Sequence, residues 1–300
     1  MVARVKIQID EPFIAIKDER LLFPIGRFEV ALTTPELLRV LDKGQILEVH
    51  ELAFYEKNPI FKKWVEELYK LRLEFKAEGN KVFEEFAKGQ LNRLYGKFGQ
   101  RVEDVTKIGK APAEEVSVER IIIHETKECY TEVTFAGEIH KRIKGKKEFR
   151  DSFPAIASHV TAYARLYLWD LILIAGIENC FYCDTDSLFV NEEGKRRLQH
   201  LLHETKLGSL KLEQIADSVD IRGCKDYKLG KVEKIKGIKK DAIKLSENLY
   251  QQTKFYKFRS LLRKGILDAP LTETITKELK REYLKGTVLP NGRVIPFSFS

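Results

Sequence analysis

Asp184-Thr185-Asp186 lies between two short apolar runs, Phe181-Tyr182 and Leu188-Phe189-Val190. In an extended segment, alternation sends residues 184 and 186 to the same side. Two carboxylates held side by side repel each other. Mg²⁺, which prefers carboxylate oxygens, would relieve that repulsion. A pair of such ions can clamp a phosphoryl group between attacking and leaving oxygens. Asp also suits ordinary turns, and a bare Asp-x-Asp is more often only that. The apolar flanks weigh against the plain turn, because unpaired charge is costly among them. A second set stands upstream. Lys88, Asn92 and Tyr95 recur at i, i+4 and i+7, which puts a cation, an amide and a flat ring on one helix face. A solvent-facing Lys and a core Tyr would give the same spacing.

The charge distribution points to a polyanionic partner. The 300 residues carry a formal net charge of +8. Between Arg222 and Lys264, fourteen Lys or Arg stand against four Asp or Glu, an excess larger than that of the whole chain. Lys141, Arg142, Lys144, Lys146, Lys147 and Arg150 form a second basic run. Charge gathered in this way reads as a footprint for nucleic-acid phosphates. The most apolar stretch, Leu166 to Ala175, is short and interrupted by Asp170, so neither a membrane span nor a secretory leader is expected. Cys180 and Cys183 form a single Cys-x-x-Cys with no second pair nearby, a poor zinc signature. Reduced thiols and a cytoplasmic location are the expectation.

The elements that must position these residues emerge from periodicity. Residues 2–9 alternate and predict a strand; Phe23-Pro-Ile-Gly-Arg-Phe predicts a turn and a second short strand. Thr34 is the expected cap of a helix with Pro35 in its first turn and Gly44 at its end. Helices are expected at 58–78 and 81–95, antiparallel because only Gly79-Asn80 separates them. Residues 101–150 show β patterning. A long helix capped by Ser152 runs to Gly176, and the acidic hairpin comes next. A helix at 193–204, a strand at 210–213, and helical residues 271–284 before a β-like tail complete the reading. Helices succeeded by antiparallel strand pairs, without a βαβ rhythm, give an α+β class.

Tyr182-Cys183-Asp184-Thr185-Asp186-Ser187 resembles motif C of family B DNA polymerases, Tyr-x-Asp-Thr-Asp-Ser, at every position. Lys88-Gly-Gln-Leu-Asn92-Arg93-Leu94-Tyr95-Gly96 resembles motif B, with Arg93 where the family has Ser. Lys225-Asp226-Tyr227 resembles the Lys-x-Tyr motif that holds the primer strand, and Lys234-Ile-Lys236-Gly237 continues in the family's manner. Phe153-Pro-Ala-Ile-Ala and Val160-Thr-Ala-Tyr-Ala-Arg are also similar.

The resemblance implies a right hand: a palm of antiparallel sheet at 1–57 and 101–215, helical-hairpin fingers at 58–100, and a thumb at 216–300. It implies template-directed DNA synthesis from deoxynucleoside triphosphates on a primer–template. Asp184 and Asp186 would be the catalytic metal ligands. Lys88, Asn92, Tyr95 and Gly96 would bind the nucleotide. Arg72, on the partner helix, would join them at the triphosphate. Tyr182, Thr185, Lys225, Tyr227, Lys234, Lys236 and Gly237 would contact DNA.

One part of the pattern is missing. The family places a further metal-binding Asp in motif A, upstream of motif B, and no such motif occurs here. Asp10 and Asp18 lack its flanks. The opening strand resembles the segment just downstream of motif A, and the 3′→5′ exonuclease region is absent. The expectation is therefore the C-terminal subunit or fragment of a split polymerase, divided or truncated just after motif A. Two Mg²⁺ ions would be completed by an Asp from another chain, a polypeptide that could also carry the exonuclease. The rival reading is a non-catalytic fragment that binds primer–template by charge; an RNA-making polymerase fits the motifs less well.

Overall fold

Along Val2–Ile9 the side chains of Ala3, Val5, Ile7 and Ile9 are buried while the alternate residues face outward, the period of a half-buried strand. This strand pairs antiparallel with Ile25–Thr33 on one side and Gly44–Ala53 on the other. Ser298–Phe299 adds a parallel edge beside Ile25–Thr33. That edge needs a glycine: Gly26 has φ +94°, and a Cβ there would lie 2.0 Å from the Phe299 carbonyl oxygen. The computed structural model describes residues 1–17, 19–123, 125–126, 128–257 and 271–300, leaving the side chains of Lys144, Lys146 and Lys147 aside. Asp18 and the basic residues between 258 and 264 lie outside the described residues. The chain forms two units, one of Met1–Gly99, Phe153–Lys234 and Arg281–Ser300, the other of Gln100–Ser152 and Ile235–Lys280.

In the first unit, helix α1 (Thr34–Lys43) covers the buried sheet face with Leu37 and Val40. Its cap is Thr33, one residue before the expected Thr34. Glu36 decides this: it accepts from the Thr33 amide at 2.9 Å and the Thr33 hydroxyl at 2.7 Å, while Thr34 bonds to Met1. Helices α2 (Lys62–Ala77) and α3 (Lys81–Phe98) form the antiparallel pair read from the sequence. Phe75 meets Phe83 at one end and Phe61 meets Phe98 at the other, with ring centroids 5.3 and 5.2 Å apart. α2 starts four residues later than expected, after Pro59, because the residue before a proline disfavours the helical region.

Helix α4 (Pro154–Ala175) sends Leu166 into the sheet core. Its N-cap is Phe153 rather than the expected Ser152, whose side chain makes no cap. Arg165 reaches the buried Glu36 at 2.7 Å, and Arg39 reaches Asp170 at 2.5 Å. Helix α5 (Glu192–Leu198) is shorter than expected, giving way to a 3-10 turn at Gln199–Leu201. The strand expected at 210–213 is a single bridge between Leu210 and Leu202. No helix among the described residues is long and apolar enough to cross a membrane.

The second unit contains a four-stranded antiparallel sheet in the order Arg101–Lys110, Glu138–Glu148, Glu128–Phe135, Ser117–Ile123. It also contains the three-stranded sheet Ile243–Lys244, Leu249–Phe255, Thr272–Glu278. The last of these corrects the helix expected over 271–284. Its Glu, Lys and Leu content suits a helix, but every second residue from Thr272 to Thr276 is a β-branched Thr. Those threonines pair with Phe255, Thr253 and Gln251, and Lys254 stands opposite Glu273. The proportions of helix and strand bear out the α+β class.

Candidate functional site

The acidic hairpin is clamped at its base and exposed at Thr185 and Asp186. Strands Cys180–Asp184 and Ser187–Val190 pair antiparallel. Below them Asn191 donates to the Asn179 side chain at 2.9 Å, its backbone N–H reaches the Asn179 carbonyl at 3.1 Å, and buried Asn179 donates to the Ala175 carbonyl at 2.8 Å. Cys180, Leu188 and Val190 pack on Leu171, Ala175 and Leu198. Burial pushes the Cys180 thiol up to about 11 from its ordinary 9.0. At pH 8 Cys180 therefore holds roughly a hundredth of the thiolate of an unshifted cysteine. We expect iodoacetamide to alkylate it at least tenfold more slowly than exposed Cys129 in the folded protein, with the gap closing as pH approaches 11. Equal rates at pH 8 by peptide mass spectrometry would contradict its burial.

The tip departs from simple alternation. The Asp186 amide donates to the Asp184 carbonyl at 2.6 Å, and Thr185 between them has φ +55°. That is a tight three-residue turn of the strained kind, with a β-branched residue in the left-handed region. Such strain is a common feature of functional sites. A turn, rather than an extended segment, thus joins Asp184 to Asp186. Asp184 accepts from the Thr185 hydroxyl at 3.1 Å through one oxygen. The other lies 3.3 Å from the Lys225 ammonium. Asp186 is exposed, and its carboxylate has no hydrogen-bond or ion-pair partner among the described residues.

Lys225 arrives on a second hairpin. Strands Val219–Gly223 and Asp226–Leu229 are joined by Cys224–Lys225, with Lys225 at φ +59°. The Lys225 backbone N–H donates to the Tyr182 hydroxyl at 2.8 Å. Tyr182, Phe189 and Tyr227 form a ring cluster with centroids 5.1, 5.4 and 4.9 Å apart. Burial raises the Tyr182 phenol, so it stays protonated near neutrality. The third strand, Val232–Lys234, places Lys234 opposite Tyr227, its ammonium 5.9 Å from the ring centre. Tyr182, Asp184, Thr185, Lys225, Tyr227 and Lys234 are thus one constellation. Lys236 and Gly237 belong to the second unit. There the Gly237 carbonyl accepts from Gln252 and Lys277, and its φ of +75° supplies a turn.

The set on α3 stands apart from this constellation: no hydrogen bond, ion pair or ring contact joins the two among the described residues. Lys88 lies 3.3 Å from Glu85, Asn92 and Gly96 are exposed, and Tyr95 is half-exposed. A Cβ at Gly96 would meet nothing within 4 Å, so packing does not require that glycine. Arg72 faces Glu84 at 3.9 Å and ties α2 to α3. Lys141 pairs with Glu128 and lies over the Tyr130 ring, so part of the second basic run is engaged within its own sheet.

With this geometry in place, comparison with known families is decisive for kinship. Residues 2–172, more than half of the chain, match the family described as DNA polymerase type B, organellar and viral. The chain belongs to that family. The match includes Lys88–Gly96 and ends before the acidic hairpin. A protein named DNA polymerase from Kluyveromyces lactis is 28% identical over 188 residues, covering 58% of this chain and 18% of its own length. A probable DNA polymerase from Neurospora intermedia is 24% identical over 303 residues, covering 94% of this chain and 28% of its own. Another, from Ascobolus immersus, is 26% identical over 199 residues, covering 65% and 16%. The chain therefore spans less than a third of the curated relatives it matches. No solved structure matches.

Around this constellation the structure adds residues that the sequence did not mark. Asp226, the middle residue of Lys-x-Tyr, is only 6% exposed. Arg222 approaches it at 3.3 Å and Arg281 at 2.9 Å. Arg222 also meets Glu233 at 2.7 Å. Part of the basic stretch thus braces the Lys225 turn from within. Arg281 lies 55 residues from Asp226 in sequence, so no local pattern announces the pair.

Proposed function

We propose that this chain carries the nucleotide-adding site of a type B DNA polymerase, extending a primer 3′-OH on a DNA template. The observation that supports this most is the meeting of two sequence-distant motifs, with Lys225 of Lys-x-Tyr against Asp184 of the acidic turn. Asp184 and Asp186 would hold divalent metal. Their oxygens are the hard donors Mg²⁺ prefers, which fits the ion in kind. The number is short: among the described residues no group of three His, Cys, Asp or Glu is placed to hold a metal. The reading therefore includes a further Asp from polypeptide outside these 300 residues, in the split arrangement. Two bound Mg²⁺ would supply charge neutralisation at the transferring phosphoryl group.

The chain's own residues do the rest by positioning. Lys88, with Arg72 released from Glu84, would offer cations to the triphosphate. Tyr95, flanked by Asn92 and Gly96, would pack a flat ring against the incoming base pair. Tyr227 and Lys234 would present a ring and an ammonium to the primer strand, and Lys236 and Gly237, in the second unit, would also contact DNA. In this reading α2 and α3 are the fingers, the sheets of 1–57 and 101–215 the palm, and 216–300 the thumb.

Primer extension with Mg²⁺ and four deoxynucleotides tests the reading, using the purified chain alone and mixed with the product of the neighbouring upstream gene. Extension in the mixture alone supports the split site. Extension by the chain alone would mean that another carboxylate completes it. The rival is a non-catalytic primer–template binder. It predicts no extension in either case, with steeply salt-dependent DNA binding indifferent to Asp186→Ala.

A further inference from the structure

Tyr182 spends its hydroxyl inside the protein. The oxygen accepts the Lys225 backbone N–H at 2.8 Å. Lys225 is a non-glycine residue at φ +59°, a conformation that needs outside support. From that turn its ammonium reaches Asp184 at 3.3 Å, over a side chain about half exposed against one about a quarter exposed. The same tyrosine ring packs on Phe189 and Tyr227, which anchors it independently of the hydroxyl. One hydroxyl thus ties the strand that leads into the Thr185 turn to the strained turn at Lys225.

We infer that Tyr182 is a positioning residue whose hydroxyl holds the Cys224–Lys225 turn so that Lys225 serves as an internal counter-cation to Asp184, one that a divalent metal must displace. This deepens the proposed function and rests on its reading of Asp184 as a metal ligand. Lys225 keeps Asp184 neutralised while no metal is bound. When metal takes the carboxylate, the ammonium is freed a short distance away, where a primer phosphate would find it. The aromatic packing does not depend on the hydroxyl, so Tyr182→Phe separates the two contributions.

The test uses the full chain and two readouts that need no catalysis. The first is the rate of reductive methylation of Lys225, by peptide mass spectrometry, with Lys228 as internal reference. The second is Mn²⁺ affinity from the free-ion electron paramagnetic resonance signal. Tyr182→Phe is expected to raise both the Lys225 labelling rate and the Mn²⁺ affinity by about two- to fivefold, the range set by partly exposed ion pairs. Adding Mn²⁺ to the unaltered protein should raise Lys225 labelling by a similar factor, and Asp184→Asn should raise it without metal. A general loosening of the fold would lower Mn²⁺ affinity instead, so a gain is the distinguishing sign. Unchanged Lys225 labelling in Tyr182→Phe, or unchanged or weakened Mn²⁺ binding, overturns the inference. Failure of primer extension in every mixture would sink the polymerase reading while leaving the labelling result intact.

Discussion

Asp226→Ala is expected to destabilise the first unit by about 3 kcal/mol, and Asp226→Asn by about half as much. The reason is the loss of a buried carboxylate shared by two largely buried cations. Asp226 is nearly fully buried, and its two oxygens face Arg222 and Arg281. Both arginine side chains are about four-fifths buried. Arg281 makes the better-directed hydrogen bond; the Arg222 contact is an ion pair with poor hydrogen-bond geometry. Removing the carboxylate leaves both guanidinia in a poorly hydrated place, which costs more than the pair itself contributes. Arg222 retains Glu233 and Asp220, so the expected loss sits at the lower end of the range for broken buried pairs. Urea unfolding monitored by tryptophan fluorescence measures this, Trp64 and Trp169 both lying in the first unit. A loss below about 1 kcal/mol would mean that water screens the cluster as it does a surface ion pair. The asparagine variant separates charge from shape, since it keeps one acceptor for Arg281.

That network shows where sequence reading stops. The strand at 2–9 was legible because burial imposes a period of two, and Ala3, Val5, Ile7 and Ile9 obey it. The α2–α3 pair was legible because two residues cannot join parallel helices. The acidic hairpin was legible from apolar runs on either side of an Asp-x-Asp. What failed did so through competition or distance. Thr33 and Thr34 are chemically equivalent caps, and only Glu36, three residues from the first, decides between them. Residues 272–278 carry helix-favouring Glu and Lys, but a waiting partner strand rewarded their threonines. The extended alternation assumed at Asp184 and Asp186 gave way to a turn around Thr185 that propensity disfavours.

The contacts that join the two hairpins of the candidate site, and the Arg281 pair that braces the second, are non-local. Lys225 is 43 residues from Tyr182, and Arg281 is 55 from Asp226. A basic stretch read as phosphate-seeking surface proves to include braces: Arg222 is consumed by three carboxylates. Net charge over a window cannot separate cations that face solvent from cations that hold a turn. Lys225 belongs to both groups at once. The motif resemblance indicated it as a DNA contact, and the fold shows it resting on Asp184.

Asp186→Asn is expected to abolish primer extension, with a loss of at least about a thousandfold in any mixture that extends primers, while leaving stability within about 0.5 kcal/mol. The two halves of this outcome must occur together. Asp186 is exposed at the tip of a hairpin clamped at its base by Asn179 and Asn191, and its carboxylate holds nothing in place among the described residues. A residue with no structural contact can be exchanged for its neutral isostere at little cost to folding. A metal ligand cannot, because the amide keeps the shape and lacks the charge that offsets a divalent ion. Asp184→Asn should lose activity to a similar degree but also release Lys225, so its effects are mixed and less diagnostic. If the proposed function holds, DNA affinity should stay or rise slightly in Asp186→Asn, since one negative charge is removed. Extension retained within tenfold would remove Asp186 from the metal site. Extension lost together with the fold would show that the turn, strained at Thr185, depends on the carboxylate at its exposed end.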